Sequence, residues 1–439
     1  MGLQPQNRKS GDASGLSRDD FQVLVAGVRA RTMDLGAPLS GEDQCIQSMP
    51  DVSPTKWHKA HTTWFFEIFI LKPFAAGYEE FHPDYNFLFN SYYEAVGPRH
   101  ERPKRGLLSR PPLQDIHAYR RHVDAAMKTL IADADDGAWA KIIPLLELGL
   151  NHEQQHQELI LTDIKHVLSC NPLKPAYQAF KPHGVDSSAA LTWIEFCEGL
   201  FEIGHDGDSF AFDNEGPRHK VWQSGFRMAS RPVSNGEFLE FIHDGGYERA
   251  EFWLSDGWAT VQENHWRAPL YWQQDEALEE ETWQMTTLSG LRCVDAAEPV
   301  CHVSFFEADA YSKWAGKRLP LEAEWERFAT ECAPEGTPEG NFADQGHFHP
   351  VPAKQGGQQT RQVFGDVWEW TQSAYAPYPG YRAVSSAVGE YNGKFMSGQM
   401  VLRGGSAATP KGHVRPTYRN FFHPPDRWQF SGLRLAEDV

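Results

Sequence analysis

The chain has 439 residues, 41% of them hydrophobic and 13% aromatic, which is a folded composition too long for one typical core and sized for two domains, or three. A formal net charge of −18, from 41 Lys and Arg against 59 Asp and Glu, argues against a nucleic-acid-binding surface and a polybasic membrane face, since both need clustered cations. No stretch approaches the roughly 20 apolar residues of a membrane span.

The start, "MGLQPQNRKSGDASGLS", is polar and lacks the apolar core of a signal peptide, and Gln6 stands where a myristoylation signal has Ser or Thr. Ser17 is placed to cap a first helix, "RDDFQVLVAGVRARTMDL", with acidic residues in its first turn. A second helix follows Pro54, "TKWHKAHTTWFFEIFILKPF". A third follows Pro111 and Pro112, "LQDIHAYRRHVDAAMKTLIADA", and a fourth is "WAKIIPLLELGLNHEQQHQELILTDIKHVLS". Long helices in this order predict an all-α four-helix bundle over residues 15–175. The connection from Ala75 to Pro111 is long for a compact domain, and its aromatic content points to function rather than disorder.

After Pro172 the texture changes. "CNPLKPAYQAFKPHG" reads as a linker, and the following chain, residues 185–437, is rich in Gly, Trp and short apolar runs. Two helices stand out there, "SNGEFLEFIHDGG" and "SFFEADAYSKWAGKR". The remainder reads as short strands and long loops, an α+β domain. There is no internal repeat, and no low-complexity segment beyond "KQGGQQTRQ". Cys45, Cys170, Cys197, Cys293, Cys301 and Cys332 are scattered without a CxxC pair, which predicts reduced, mostly structural thiols and a cytoplasmic protein.

The fourth helix carries His152 and His156 four residues apart. Residues i and i+4 share a helix face, so Leu148, His152, His156, Ile160 and Ile164 form one stripe, apolar apart from the histidines and therefore turned inward. Such a pair can grip one metal ion. A third ligand must come from elsewhere, and "KWHKAH" offers His58 and His61. His61 is favoured because it opens the aromatic run Thr62 to Phe66, and His58 is the fallback, read otherwise as a surface residue or a support for a ligand. Glu153 and Glu158 point about 100° and 200° away on the helix wheel and read as carboxylates behind the ligands. Three neutral imidazoles with open positions suit Zn(II) hydrolysis or Fe(II) oxygen chemistry, and spacing does not choose between them.

"SPTKWHKAHTTWFFE", "FNSYYEAVGPRHERPKRGLLSRP" and "NHEQQHQEL" together resemble the EgtB-type sulfoxide synthases of ergothioneine biosynthesis. "PVCHVSFFEADAYSKWAGKRLPLEAEWERFA", "GDVWEWTQSAY", "VLRGGS" and "YRNFFHPPDRWQFSGLRLA" resemble domains of the formylglycine-generating-enzyme type, with a C-type-lectin-like fold. The resemblance spans nearly the whole chain and implies a DinB-like bundle followed by that α+β domain. It implies Fe(II) held by His61, His152 and His156, with O2 as co-substrate. The implied reaction joins a thiol to C2 of the imidazole of hercynine (Nα-trimethylhistidine) and yields a sulfoxide. The partners are then small molecules, with no nucleic acid and no membrane. Related possibilities are C–Se bond formation on hercynine, a DinB-type Zn(II) or Ni(II) thiol transferase, and a lectin-like binding protein with a structural bundle.

The resemblance also implies roles for single residues. A tyrosine donates a proton in the family, and here Tyr92 and Tyr93 match, Tyr93 ahead, with Tyr375 and Tyr378 as alternatives. Gln155 resembles the glutamine that contacts the hercynine imidazole, and Asn420 the asparagine that holds its carboxylate and ammonium end. Phe421 and Phe422 offer aromatic walls, which suit a quaternary ammonium. The basic loop "RHERPKRGLLSR" supplies candidate carboxylate clamps, of which Arg102 and Arg105 are chosen. Phe422 and Asp426 stand where relatives using γ-glutamylcysteine carry an acidic residue and an Arg, which favours cysteine as the thiol. Cys293 and Cys301 lie far from the chain end, where a formylglycine-generating cysteine pair is expected, so the second domain is read as a pocket wall.

Overall fold

Ser17 accepts the backbone N–H of Asp20 at 3.2 Å while the Asp20 carboxylate accepts that of Ser17 at 3.0 Å, and this capping box opens helix α1 (Arg18–Gly36). The computed structural model describes residues 15–184, 187–207, 209–274, 282–332, 338–356, 360–383 and 392–439; Gln6 with the polar start, and part of the Gln/Gly-rich stretch, lie outside them. Helix α2 (Thr55–Phe66) follows Pro54 and is buried along its whole length. It runs on through a π turn (Glu67–Leu71) into Lys72–Phe74. Helix α3 (Leu113–Asp133) follows Pro112, and α4 (Asp136–Cys170) begins three residues before the predicted start because Asp135 caps it, accepting from Ala138 at 2.8 Å.

The four helices share one apolar core that includes Phe21, Trp64, Phe65, Phe66, Ile116, Val123, Ile142 and Leu146. Gly149 fixes how closely α2 and α4 approach. A Cβ there would lie 2.8 Å from the ring of Phe66 and 3.0 Å from that of Phe65. The two helices are thus close together just before His152. The connection before α3 is ordered by a short helix (Tyr85–Phe89) and 3-10 turns at Glu94–Val96 and Arg102–Leu107.

The carboxy-terminal half holds small sheets and short helices. One sheet orders Trp193–Phe196, Phe226–Ala229 and Ala436–Asp438, tying the end of the chain to the beginning of this half. A four-stranded sheet orders Asn420–Phe422, Met400–Arg403, Trp368–Ala374 and Ser431–Gly432, with Leu402 opposite Asn420 and Met400 opposite Phe422. The predicted helices form at Asn235–His243 and Phe305–Trp314, each with a Ser–Glu capping box.

Two further helices, Ser255–Asn264 and Glu322–Cys332, depart from the sequence reading. In the first, Gly257 allows close contact, since a Cβ there would lie 3.0 Å from Phe306. In the second, Glu322, Glu324 and Glu326 are buried against Arg403, Arg419 and Arg318. The two halves meet over Leu35, Ile160, Ile164 and Leu168 from the bundle and Leu288, Val367, Ala408 and Phe430 from the other side. The stripe on α4 therefore turns into the seam between the halves at Ile160 and Ile164. Among the described residues no helix is long and apolar enough to cross a membrane.

Candidate metal centre and the cavity beside it

His61 on α2 and His152 and His156 on α4 are each at least 93% buried and bring one ring nitrogen apiece within 4.8 Å of the others. The hydrogen bonds fix which nitrogen is which. His61 Nδ1 donates to the Phe89 carbonyl at 2.6 Å, which leaves Nε2 as a bare acceptor 3.2 Å from His152 Nε2. Asp163 accepts from His58 Nε2 at 3.0 Å, so His58 Nδ1 is the acceptor for His156 Nδ1–H at 2.8 Å, and His156 Nε2 is left open. The His61 ring lies between those of Trp57 and Trp64, stacked at 4.6 and 5.4 Å.

Burial pulls His152 down to about 4 and His61 and His156 well below the usual histidine range, so all are neutral imidazoles at pH 7. Two of these neutral rings have their second nitrogen already held, His61 by the Phe89 carbonyl and His156 by His58, and three buried neutral imidazoles gathered this closely fit a divalent metal ion.

His156 also lines a cavity of about 290 Å³ between the halves, together with Gln155, Tyr92, Arg102 and Arg105 from the bundle half and Tyr418, Asn420, Phe421, Phe422 and Asp426 from the other. Gln155 donates to the Tyr418 hydroxyl at 2.8 Å, and its Oε1 makes no hydrogen bond among the described residues. Arg105 is 4% exposed and lies 3.3 Å above the centre of the Trp57 ring, donating to Ser53 at 2.9 Å. Burial draws its guanidinium down to about 9, still charged at pH 7. Among the described residues no carboxylate pairs with it, and its Nε is unbonded. Arg102 donates to the Tyr92 hydroxyl at 2.7 Å and to the Asp51 carbonyl. Phe421 stacks on Tyr375 at 4.0 Å, and Phe422 meets Trp428 edge-on at 5.6 Å.

Two family models cover the chain: the DinB superfamily over residues 25–160, and the sulfatase-modifying factor enzyme 1-like domain over residues 179–439. Hercynine oxygenase of Mycobacterium tuberculosis is 34% identical over 445 residues, 96% of this chain and 100% of that protein. The chain belongs to the hercynine oxygenase family. It is accordingly an enzyme, and the EgtB-type resemblance and the bundle-plus-lectin-like fold class hold. Hercynine oxygenase of Mycolicibacterium smegmatis is likewise 34% identical, over 97% of this chain and 100% of that protein. The formylglycine-generating enzyme of Streptomyces coelicolor is 30% identical over 47% of this chain and 76% of that protein.

Several expectations for this member of the hercynine oxygenase family change with the geometry. Glu153 and Glu158 bond none of the three histidines. Glu153 faces away from the trio and takes Arg120 at 2.7 Å, Arg29 at 3.0 Å and Thr32 at 2.6 Å. Burial pushes this carboxyl up, but the two guanidinium groups outweigh it and hold it at about 2. Glu158 points to the other half and accepts from Trp368 at 2.7 Å and from Ser406 and Thr409 at 2.6 Å each. With three neutral donors and no cation, burial keeps its carboxyl raised. His58 is buried rather than on the surface.

The two neighbouring tyrosines point different ways. Tyr92 is on the cavity wall, whereas Tyr93 is buried in the bundle core, its ring 5.5 Å from Trp64 and 5.2 Å from Phe69. Tyr375 and Tyr378 are held inside the second half by Asn214 at 2.9 Å and Arg403 at 3.0 Å. Cys301 is buried, its thiol pushed up to about 12, and Cys293 is exposed; neither lines the cavity. The sequence reading missed Tyr418, whose hydroxyl holds Gln155 and which sits two residues before Asn420. It also missed Asp163, one helical turn beyond the "HEQQHQEL" run.

Proposed function

We propose that this protein is an Fe(II)- and O2-dependent sulfoxide synthase that joins a thiol to C2 of the hercynine imidazole. The observation that carries the reading is the trio of neutral imidazoles with open nitrogens beside a cavity whose far wall is the lectin-like half. His61, His152 and His156 hold the metal, and Fe(II) supplies the one-electron chemistry that makes O2 an oxidant. The remaining work belongs to side chains.

Gln155, held by Tyr418, offers its unused Oε1 to the imidazole N–H of hercynine. Asn420 receives the carboxylate and ammonium end, and Phe421 and Phe422 pack on the methylated nitrogen. Arg105 is a buried cation without a carboxylate of its own, so a substrate carboxylate is its natural partner, with Arg102 beside it. Tyr92, polarised by Arg102 at 2.7 Å, is the proton donor on the cavity wall. Holding both substrates in one cavity makes their encounter effectively unimolecular.

The thiol is cysteine. Phe422 removes an acidic partner, and Asp426, on the cavity wall with Asp51, faces a cationic amine better than a second carboxylate. Six free cysteines suit a reducing cytoplasm.

The test is anaerobic Fe(II) reconstitution, addition of hercynine with cysteine, γ-glutamylcysteine or a selenol, then O2, with products read by mass spectrometry. A cysteine-derived sulfoxide in excess is expected. No C–S product with either thiol would sink the proposal.

A further inference from the structure

Asp163 lies seven residues after His156, two turns along α4 and on nearly the same face, while His58 lies one turn before His61 on α2. The four side chains are all buried. One oxygen of Asp163 accepts both the Ser53 backbone N–H at 2.7 Å and His58 Nε2–H at 3.0 Å. A carboxylate cannot donate, so the proton of His58 is confined to Nε2. His58 Nδ1 is then a bare acceptor, and the only hydrogen it can take is the one on His156 Nδ1, at 2.8 Å. The result is a directional chain from Ser53 and Asp163 through His58 to His156.

We infer that His58 and Asp163 are positioning residues that set the tautomer and ring orientation of His156, so that Nε2 and not Nδ1 is presented to the metal. The inference rests on the metal-site reading above and adds to it the device that aims one ligand. His61 is aimed in a simpler way, by the Phe89 carbonyl at 2.6 Å. A helix backbone can fix where His156 stands but not which nitrogen carries the proton, and the side-chain relay supplies that second decision. The same relay crosses from α2 to α4, so it also locks the two ligand-bearing helices in register beside the site.

The test uses Co(II) alone as the probe, with affinity measured by chelator competition and geometry by the visible absorption of the bound ion, alongside the melting temperature of the metal-free chain. His58→Phe keeps the ring volume and removes the acceptor. It is expected to weaken Co(II) binding by about 10–100-fold and to alter the spectrum. His58→Asn, whose side-chain oxygen can stand near the position of Nδ1, is expected to recover most of the affinity. Asp163→Asn keeps an acceptor for Ser53 and His58 but no charge, and is expected to give a smaller loss in the same direction.

A purely structural His58 would show the opposite pattern, with melting temperature falling and Co(II) affinity and spectrum unchanged in His58→Phe; that result overturns the inference while leaving the metal site standing. If the wild-type chain takes up no Co(II), or takes it up equally after His61→Ala, the metal-site reading itself falls and this inference with it.

Discussion

In the bundle, buried charge is held by residues whose positions helix periodicity dictates. Glu153 sits next to His152, about 100° around α4, and it collects Arg29 from α1 and Arg120 from α3 at 3.0 and 2.7 Å. In the carboxy-terminal half, buried charge is held by partners that no periodicity relates. Arg403 on a strand meets Glu322 and Glu326, each at 2.9 Å, Arg419 meets Glu322 at 2.6 Å, and Arg434 meets Glu369 at 2.7 Å. Glu153 is thus the one buried carboxylate on both Arg29 and Arg120, with the partly exposed Asp124 also on Arg29, whereas in the other half Glu322 and Glu326 are shared between Arg403 and Arg419. The difference matches the two tasks. A metal trio needs few positions fixed tightly, which two closely packed helices provide. A cavity wall of short strands and loops needs many ties to hold its shape.

The largest expected effect breaks the bundle side. His152→Ala is expected to abolish metal uptake and turnover, exceeding the roughly 10–100-fold that loss of an outer partner costs, with helical circular dichroism retained. Metal binding that survives would move the site elsewhere. Next comes Glu153→Ala, which strips Arg120 of its carboxylate in the core and leaves Arg29 only the partly exposed Asp124, and is expected to lower stability by about 3–5 kcal/mol in urea titration. Glu322→Ala is expected to cost less, because Glu326 still serves Arg403 and Arg419 keeps the Asn214 and Ala376 carbonyls. Equal losses in the two variants would erase the distinction between a single carboxylate and a shared net.

The same contrast explains what the sequence made readable. The four helices, the i, i+4 pair and the inward stripe followed from period 3.6 and from Pro and Ser boundaries, because local geometry governs them. The aromatic run that follows it favoured His61 over His58, and family resemblance singled out Gln155 and Asn420. What escaped was tertiary. Glu322 and Glu326 find their arginines far off in sequence, 97 residues for Arg419 and 77 for Arg403, which no local pattern reveals. The need for Gly257 in its helix is likewise tertiary, because Phe306, which takes the space, is 49 positions on. Glu153 and Glu158 were placed behind the ligands on adjacency alone, while Asp163 reaches His156 through a histidine on another helix. Tyr92 and Tyr93 are neighbours whose opposite orientations only the folded loop decides.

A smaller effect sharpens the contrast at the cavity. Arg105 has no carboxylate of its own, unlike the buried arginines on either side of the comparison. Arg105→Gln is therefore expected to raise the KM for a carboxylate-bearing substrate by about 10-fold or more, the worth of a charge-assisted hydrogen bond, without lowering the melting temperature. A fall in melting temperature with KM unchanged would make Arg105 a structural residue stacked on Trp57.

The smallest expected effect is an absence of pH dependence where free histidines would show one. In the folded, metal-free chain burial holds His152 at about 4 and keeps His61 and His156 low as well, against about 6.5 in the unfolded chain. Between pH 6.5 and about 4 the unfolded state therefore binds more protons. The stability of the metal-free chain is full above 6.5 and declines as pH falls through that window, by roughly 1 kcal/mol per histidine between pH 7.5 and 6. The affinity of the folded site behaves differently, because its ligands are neutral before the metal arrives and no proton has to leave. Co(II) affinity measured on the native chain is expected to stay level from pH 7.5 to about 5 while the urea midpoint of the metal-free chain drops over the same range. Solvated imidazoles would instead lose metal progressively below pH 6.5, and such a decline on the native chain would show that the trio is open to water, and that the bundle holds it less tightly than its packing against Trp57, Trp64 and Phe65 implies.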